Sequence, residues 1–371
     1  MIEEENKKRS WSKIVKFSFR FFSFCVIIVY VISILAFYFP PSKLGPLSIL
    51  GLFYWPILVL FLFSVLILLL RREWKWLIMH FLVFLASLGN ISSFFSFGLG
   101  KEDGLNKKIS IYTHNVHLMG YYDGKSSEKN RDIVLSAIGS KNPDIICLQE
   151  CYWNDEENSF FHWSQELSLR EYHACERVTH TLSDGSHFGV VILSKFPIRF
   201  KGTVPFDNDV NNFAVYADIE TTAGMVRVFS VHFQSFRLKE RDLKLFDENI
   251  AVDEIQNNSL PLLVQLYRAN LKREKQVDRL VRSMEDCDYP IIVCGDFNDS
   301  PSSHAYYTLT SKLDDVFNKS NLGVGATYNG PLPGMRIDYI LSDKKFGVES
   351  CEKIEINSSD HDALFAIIGL K

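Results

Sequence analysis

The chain has 371 residues, 47% of them apolar and 23% charged, a balance that excludes a disordered chain and a small disulfide-stapled scaffold. Its net charge of −4 is the sum of two unlike parts. Residues 1–100 carry 10 basic and 4 acidic side chains, a net of +6, and the other 271 carry 30 and 40, a net of −10.

The first hundred residues read as membrane. A basic tail, 1–20, holds Lys7, Lys8, Arg9, Lys13, Lys16 and Arg20, and uncharged stretches follow at 21–39, 47–70 and 76–97. At 1.5 Å per residue each reaches across roughly 30 Å of hydrocarbon. The third contains His80, Asn90 and several serines, so it reads either as a span or as an interfacial helix. The run at Phe21 is too long for a cleavable signal peptide. Arg71, Arg72 and Lys75 separate the second stretch from the third, whereas Lys43 alone lies between the first two. That bias predicts a cytoplasmic N-terminus and, with three spans, a C-terminal domain outside the cytoplasm. His80 reads as a polar group at a helix end. The segment 98–107 is a short linker.

From Lys108 the pattern changes to short β-rich runs. Strands are predicted at Ile109–Val116, Ile145–Gln149, Gly189–Ser194, Ala214–Ile219, Val226–His232, Ile291–Gly295, Arg336–Ser342 and Ala363–Ile368. Several are apolar throughout, as in sheets covered on both faces. Arg131–Lys141 and Leu271–Met284 read as helices. Between His232 and the second lies an inserted stretch, 237–270, mixing leucines with charges; it suggests one or two amphipathic helices, either facing the membrane or packed on the sheet. The seven cysteines show no framework or zinc-like cluster; Cys147 and Cys294 read as small buried hydrophobes.

Polar residues recur at strand ends. Asn115 closes Thr-His-Asn, Glu150 closes Leu-Gln-Glu and His232 closes Ser-Val-His. Asp296 and Asn298 form Gly-Asp-Phe-Asn, Asp338 lies in Arg-Ile-Asp-Tyr, and Asp360 and His361 form Ser-Asp-His. Each alone is ordinary turn chemistry. Together they place carboxylates, amides and imidazoles where one sheet end converges its loops.

This set, with Gly295–Asp299, Arg336–Leu341 and Ser359–His361 as its strongest blocks, resembles the endonuclease/exonuclease/phosphatase superfamily, the deoxyribonuclease I-like fold. The resemblance covers about 108–371. It implies a four-layered α/β sandwich and metal-dependent cleavage of a phosphate ester, with Mg2+ as cofactor and Mn2+ as a substitute. Glu150, Asn115 and Asp360 would serve the metal, whose hard character suits oxygen ligands. Asp296 would deprotonate the attacking water and Asn298 would position it. His361 would contact the scissile phosphate as base or charge stabiliser, oriented by Asp338, and His232 would stabilise the transition state or protonate the leaving oxygen. Arg177, His187 and Arg336 are candidate substrate contacts, and Thr327 and Tyr328 are expected to shape the cleft wall.

Binding to duplex nucleic acid draws on Lys and Arg, which a domain at −10 lacks in excess. The expected substrate is therefore a phosphorylated lipid or small molecule at the bilayer, with a nuclease acting on nucleic acid as the alternative and an inactive binding domain as a third reading.

Overall fold

The computed structural model describes the chain except for residues 1, 124–126, 155–165, 167–170, 207–211, 239–241, 243–251 and 331–333, and describes the backbone alone at 2–13, 122–123, 127 and 252–257. Most of the basic tail's side chains, and Leu243, Leu245, Phe246 and Ile250 of the inserted stretch, lie outside the described residues.

The N-terminal part is built from α1 (Ile2–Tyr38), α2 (Tyr54–Leu70), α3 (Trp74–Ala86) and α4 (Leu88–Phe94). Among the described residues only α1, over Ile14–Tyr38, is a single helix long and apolar enough to cross a membrane. The second stretch bends by 65° between Pro41–Gly51 and α2, and the third by 54° between α3 and α4, so three crossings require each bent pair to act as one span. Tyr30 stacks on Phe61 at 4.3 Å at the centre of this bundle. His80 is not a solvated helix end. It is fully buried, with Nε2 3.1 Å from Ser23 Oγ and 3.2 Å from Ser64 Oγ, so it joins α1, α2 and α3.

The C-terminal part is a sandwich of two six-stranded sheets. Its strands are β1 (Asn106–Asn115), β2 (Ile145–Trp153), β3 (His173–Thr181), β4 (His187–Ser194), β5 (Ile198–Pro205), β6 (Phe213–Thr221), β7 (Gly224–His232), β8 (Ile291–Asp296), β9 (Asp338–Ser342), β10 (Phe346–Ile354) and β11 (Ala363–Leu370). One sheet runs β10-β11-β1-β2-β4-β3, and the other runs from the two-residue strand Asp314–Asp315 through β9-β8-β7-β6 to β5.

Alternation along the strands makes the layers. Ile111, Cys147 and Ile192 face Val228 and Cys294 of the other sheet, while Tyr112, Ile146 and Leu193 face away and are covered by Val134 and Ile138 of α5 (Ser127–Lys141). Val277, Leu280 and Met284 of α6 (Val252–Glu285) belong to the main core with Ala305 and Leu309 of α7 (His304–Thr310). Helix, sheet, sheet and helix are the four layers expected. All seven cysteines are free.

From Val252 onward the inserted stretch and the following helix are one element, since α6 runs unbroken through Pro261 to Glu285. Its first half packs Leu262 and Leu266 on Ile49, and Glu274 accepts hydrogen bonds from Ser42 N at 2.8 Å and from Ser42 Oγ at 2.5 Å. Nor is 98–107 a free tether: Gly100 N donates to Lys319 O and Glu102 N to Val348 O, both at 2.8 Å. Helical bundle and sandwich are thus in direct contact.

Candidate active site

Strand register assembles the site. On one sheet His232 ends β7 opposite Asp296, and Asp296 ends β8 opposite Asp338, so three strands present imidazole, carboxylate and carboxylate in a row. The strands approach closely because Gly295 has a φ of +130°, and a Cβ there would lie 2.1 Å from Val231 O. On the other sheet Asn115 ends β1 opposite Gln149. The pairing of β2 with β4 slips by one residue between Leu148 and Cys151, and Glu150 takes a φ of 47°, a bulge that turns its carboxylate out of the ladder. His361 sits directly before β11.

The row is tied together by hydrogen bonds. Asp296 Oδ2 accepts from Asn115 Nδ2 at 3.0 Å and from Asn298 Nδ2 at 2.9 Å, and its Oδ1 accepts from Asn298 N at 2.7 Å. His361 Nδ1 is 2.9 Å from Asp338 Oδ2, and His361 Nε2 points to Asp296 Oδ2 at 3.9 Å. His232 Nε2 stands 3.3 Å from Glu150 Oε1 and 3.7 Å from Asp296 Oδ2. His117 Nδ1 lies 3.2 Å from Asp360 Oδ1.

These contacts separate the protonation states. Burial opposes charge on His361, but Asp338 and Asp296 outweigh it and raise the imidazole to about 10. Burial also opposes charge on His232, and Glu150 and Asp296 raise it above the usual value. Desolvation opposes charge on Glu150, yet His232, with His117 and His361, holds it down at about 2. Burial lifts Asp296 to about 6, with Asp338 adding to the rise and His361 and His232 opposing it. At neutral pH the site therefore holds His361 as an imidazolium and Glu150 ionised, and Asp296, near 6, is placed to exchange a proton.

The donor set fits a hard cation. Asp338 Oδ1 and Asp360 Oδ1 are buried oxygens that accept no well-aligned hydrogen bond, and the Glu150 and Asp360 side chains are 31% and 29% exposed to the cleft. Atoms of Asp296, Asp338 and His361 also lie within 4.8 Å of one another. Protonated, His361 is a poor ligand, so Glu150 and Asp360 with the Asn115 amide are the better oxygen set.

Beside Glu150 and His232 a pocket of about 320 Å³ is lined by Leu118, Thr179, His180, Phe188 and Val190. Leu118 reaches it from a run of left-handed backbone, with φ values of 44°, 50° and 53° at His117, Leu118 and Met119, a conformation that costs energy outside glycine. Three expected substrate contacts fall elsewhere. Arg336 is 1% exposed, its guanidinium 3.0 Å from Asp315 and donating to Ser93 O at 2.9 Å, so it neutralises a buried carboxylate and cannot meet a phosphate. His187 packs on Trp153 and Thr181, and Arg177 is exposed on β3; neither lines the pocket, whereas His180 does.

Sequence reasoning missed the supports. Ser359 Oγ donates to Asn115 O and accepts from His361 N, tying together the ends of the neighbouring strands β1 and β11 of one sheet. Gln149 Nε2 bridges the sheets by donating to Ser230 Oγ at 2.9 Å. Thr327 and Tyr328, expected at the cleft wall, act beside these: Thr327 Oγ1 accepts from Asp338 N, and Tyr328 covers His361 at 5.2 Å. Gln149 faces inward by alternation, on the side of Cys147, and the partner it meets there, Ser230, is fixed by the packing of the two sheets.

The sequence matches the Endonuclease/Exonuclease/phosphatase family over residues 112–361. No curated protein matches it. The structure is similar to the human Nocturnin catalytic domain with bound sulfate anion, at 18% identity and a TM-score of 0.52, over 73% of this chain and 96% of that one. It is also similar to an endonuclease/exonuclease/phosphatase from Beutenbergia cavernae, at 18% identity and a TM-score of 0.50, over 71% and 72% of the two chains. A third likeness is D. rerio TDP2 complexed with single strand DNA product, at 16% identity and a TM-score of 0.50, over 71% of this chain and all of that one. At these identities the structural likenesses speak for the fold.

Proposed function

The chain belongs to the Endonuclease/Exonuclease/phosphatase family, metal-dependent hydrolases of phosphoester bonds, and on that premise we propose that it is a membrane-anchored phosphodiesterase. Its substrate is a lipid-linked or small phosphorylated molecule outside the cytoplasm. The observation that carries this reading is the contact between catalytic domain and span region: α6 runs from the Pro41–Gly51 turns to the core beneath β8, holding the cleft beside the bilayer. In support, Arg20 pairs with Glu73 at 2.8 Å at the opposite end of the bundle, where the basic segments gather.

Mg2+ held by Glu150, Asp360 and Asn115 would polarise a phosphoryl oxygen and neutralise developing charge. Asp296, held in one orientation by Asn115 and Asn298 and ionised above about pH 6, takes the proton of the attacking water. His361, kept protonated by Asp338, is the charge stabiliser of the two roles open to it and donates from Nε2 to a phosphoryl oxygen. His232, whose charged form Glu150 and Asp296 favour against burial, supplies the leaving oxygen's proton.

The test is turnover by the purified full chain with Mg2+, comparing a generic bis-phosphoester, phospholipids, sphingolipids and nucleic acid. Phospholipid or small phosphodiester cleavage abolished by Asp296→Ala and by His361→Ala is expected. Preferential cleavage of nucleic acid would favour the nuclease reading, and no turnover of any substrate would sink the catalytic one.

A further inference from the structure

A second feature lies on the bilayer side of the catalytic row. The chain leaves His232 through Phe233, whose carbonyl accepts from Asn298 Nδ2 at 3.0 Å and whose N–H donates to Asp296 O at 3.0 Å. The next residues, Gln234 to Arg237, form one wall of a groove of about 880 Å³, and α6 forms the other with Leu260, Arg268 and Lys272. The groove therefore starts two residues from a catalytic side chain.

Its chemistry is that of an anion site with an apolar border. Arg237, Arg268 and Lys272 line it, and no carboxylate does. Among the described residues Arg237 and Arg268 form no ion pair, and Lys272 donates only to Gln234 Oε1 at 3.2 Å. The neighbouring Arg273 is different: it is buried and neutralised by Asp299 at 2.9 Å. In a domain of net −10, three cations in one concavity without an ion pair among the described residues attract an anion. At its edge Leu260 and Leu263 are 67% and 46% exposed. The same turns of α6 bury Leu262 and Leu266 against Ile49, at the start of the second apolar stretch. Exposed leucines and cations without an ion pair among the described residues, beside the second apolar stretch, match the profile of a phospholipid, with acyl chains against the leucines and the phosphate among the cations.

We infer that this groove is a binding site for the headgroup of an anionic phospholipid at the membrane surface, seated beside the catalytic centre. The inference rests on the membrane-anchored part of the proposed function and not on its chemistry.

Native mass spectrometry of the detergent-solubilised full chain tests it, with dioleoylphosphatidylglycerol and dioleoylphosphatidylcholine as probes and inorganic phosphate as competitor. Wild type is expected to keep one phosphatidylglycerol more per chain than the Arg237→Gln/Arg268→Gln/Lys272→Gln variant, with Arg268→Gln alone weakening that adduct and millimolar phosphate leaving it in place. An unchanged adduct count in the triple variant would overturn the site. So would equal retention of phosphatidylcholine at it, loss of the adduct to free phosphate, or the same loss in a Lys129→Gln/Arg131→Gln control on α5. Turnover does not enter this readout, and carbonate extraction of the membranes reports on the anchor separately, so failure of the groove and of the phosphodiesterase reading are distinguishable.

Discussion

Asp338 and His361 carry the sharpest residue-scale expectation. The pair sits at 2.9 Å with both side chains buried, so Asp338→Asn leaves the shape and removes the charge that keeps the imidazole protonated. Activity should fall by about 10²- to 10⁴-fold, the range of a positioned proton-transfer group, and NMR titration should show the His361 pKa well below that of wild type; an unchanged titration would remove Asp338 from its role. His114 gives a stability test. It is fully buried, next to Asn115, and burial depresses it to about 4 against an ordinary 6.5, with its bond to His361 O opposing the shift. A depressed histidine resists protonation in the fold, so its penalty is absent above pH 6.5, grows as pH falls through that value and saturates near 4. At about 1.4 kcal/mol per unit the loss is about 3 kcal/mol, and the difference between wild-type and His114→Gln unfolding free energies should track it in that window alone.

At the scale of elements, the strands found and the strands missed differ systematically. The eight strands expected from the sequence are the eight interior ones, β1, β2, β4, β6, β7, β8, β9 and β11. The missed ones, β3, β5 and β10, are all edges, where exposed polar residues such as Arg199 and Lys201 interrupt the apolar pattern and discourage pairing with other chains. The helix α6 was divided in expectation because its outer half has a mixed composition; its buried stripe is completed only by Ile49 from the distant membrane segment. Gly295→Ala forces a left-handed φ and a Cβ 2.1 Å from Val231 O. It should cost about 2 kcal/mol or more and lower activity by displacing Asp296, which chemical denaturation with a parallel assay would reveal. In the bundle, His80→Leu cuts both serine contacts. A loss of about 1 kcal/mol should appear as a lower detergent-melting temperature with the soluble domain's activity retained.

For the whole molecule, the proposed membrane anchor predicts one topology if each bent pair acts as one span, giving three crossings. A reporter active only in the cytoplasm should be silent when fused after Lys371 and active when fused before Ile2; activity at the C-terminus would reverse the side assigned to the catalytic cleft. Composition divided the chain correctly into an apolar, basic part and an acidic, β-rich one, because hydropathy and strand periodicity are local properties that no later packing step alters. The carboxylates, amides and imidazoles of the site were also legible, since each must stand at a strand end beside short turn residues. Which of them meet was legible only through the family resemblance, which paired Asp338 with His361, and not from the residues themselves. Asp338 lies 42 residues from Asp296 in sequence and is its partner only through the β8–β9 register. Arg336, two residues from Asp338, turns the other way into a buried pair with Asp315. The sequence by itself determined the ingredients, the apolar spans and the interior strands. Register, the bulge at Glu150 and the seating of α6 on the membrane segment were decided by tertiary packing, because each depends on the free energy of burying surfaces far apart in the chain.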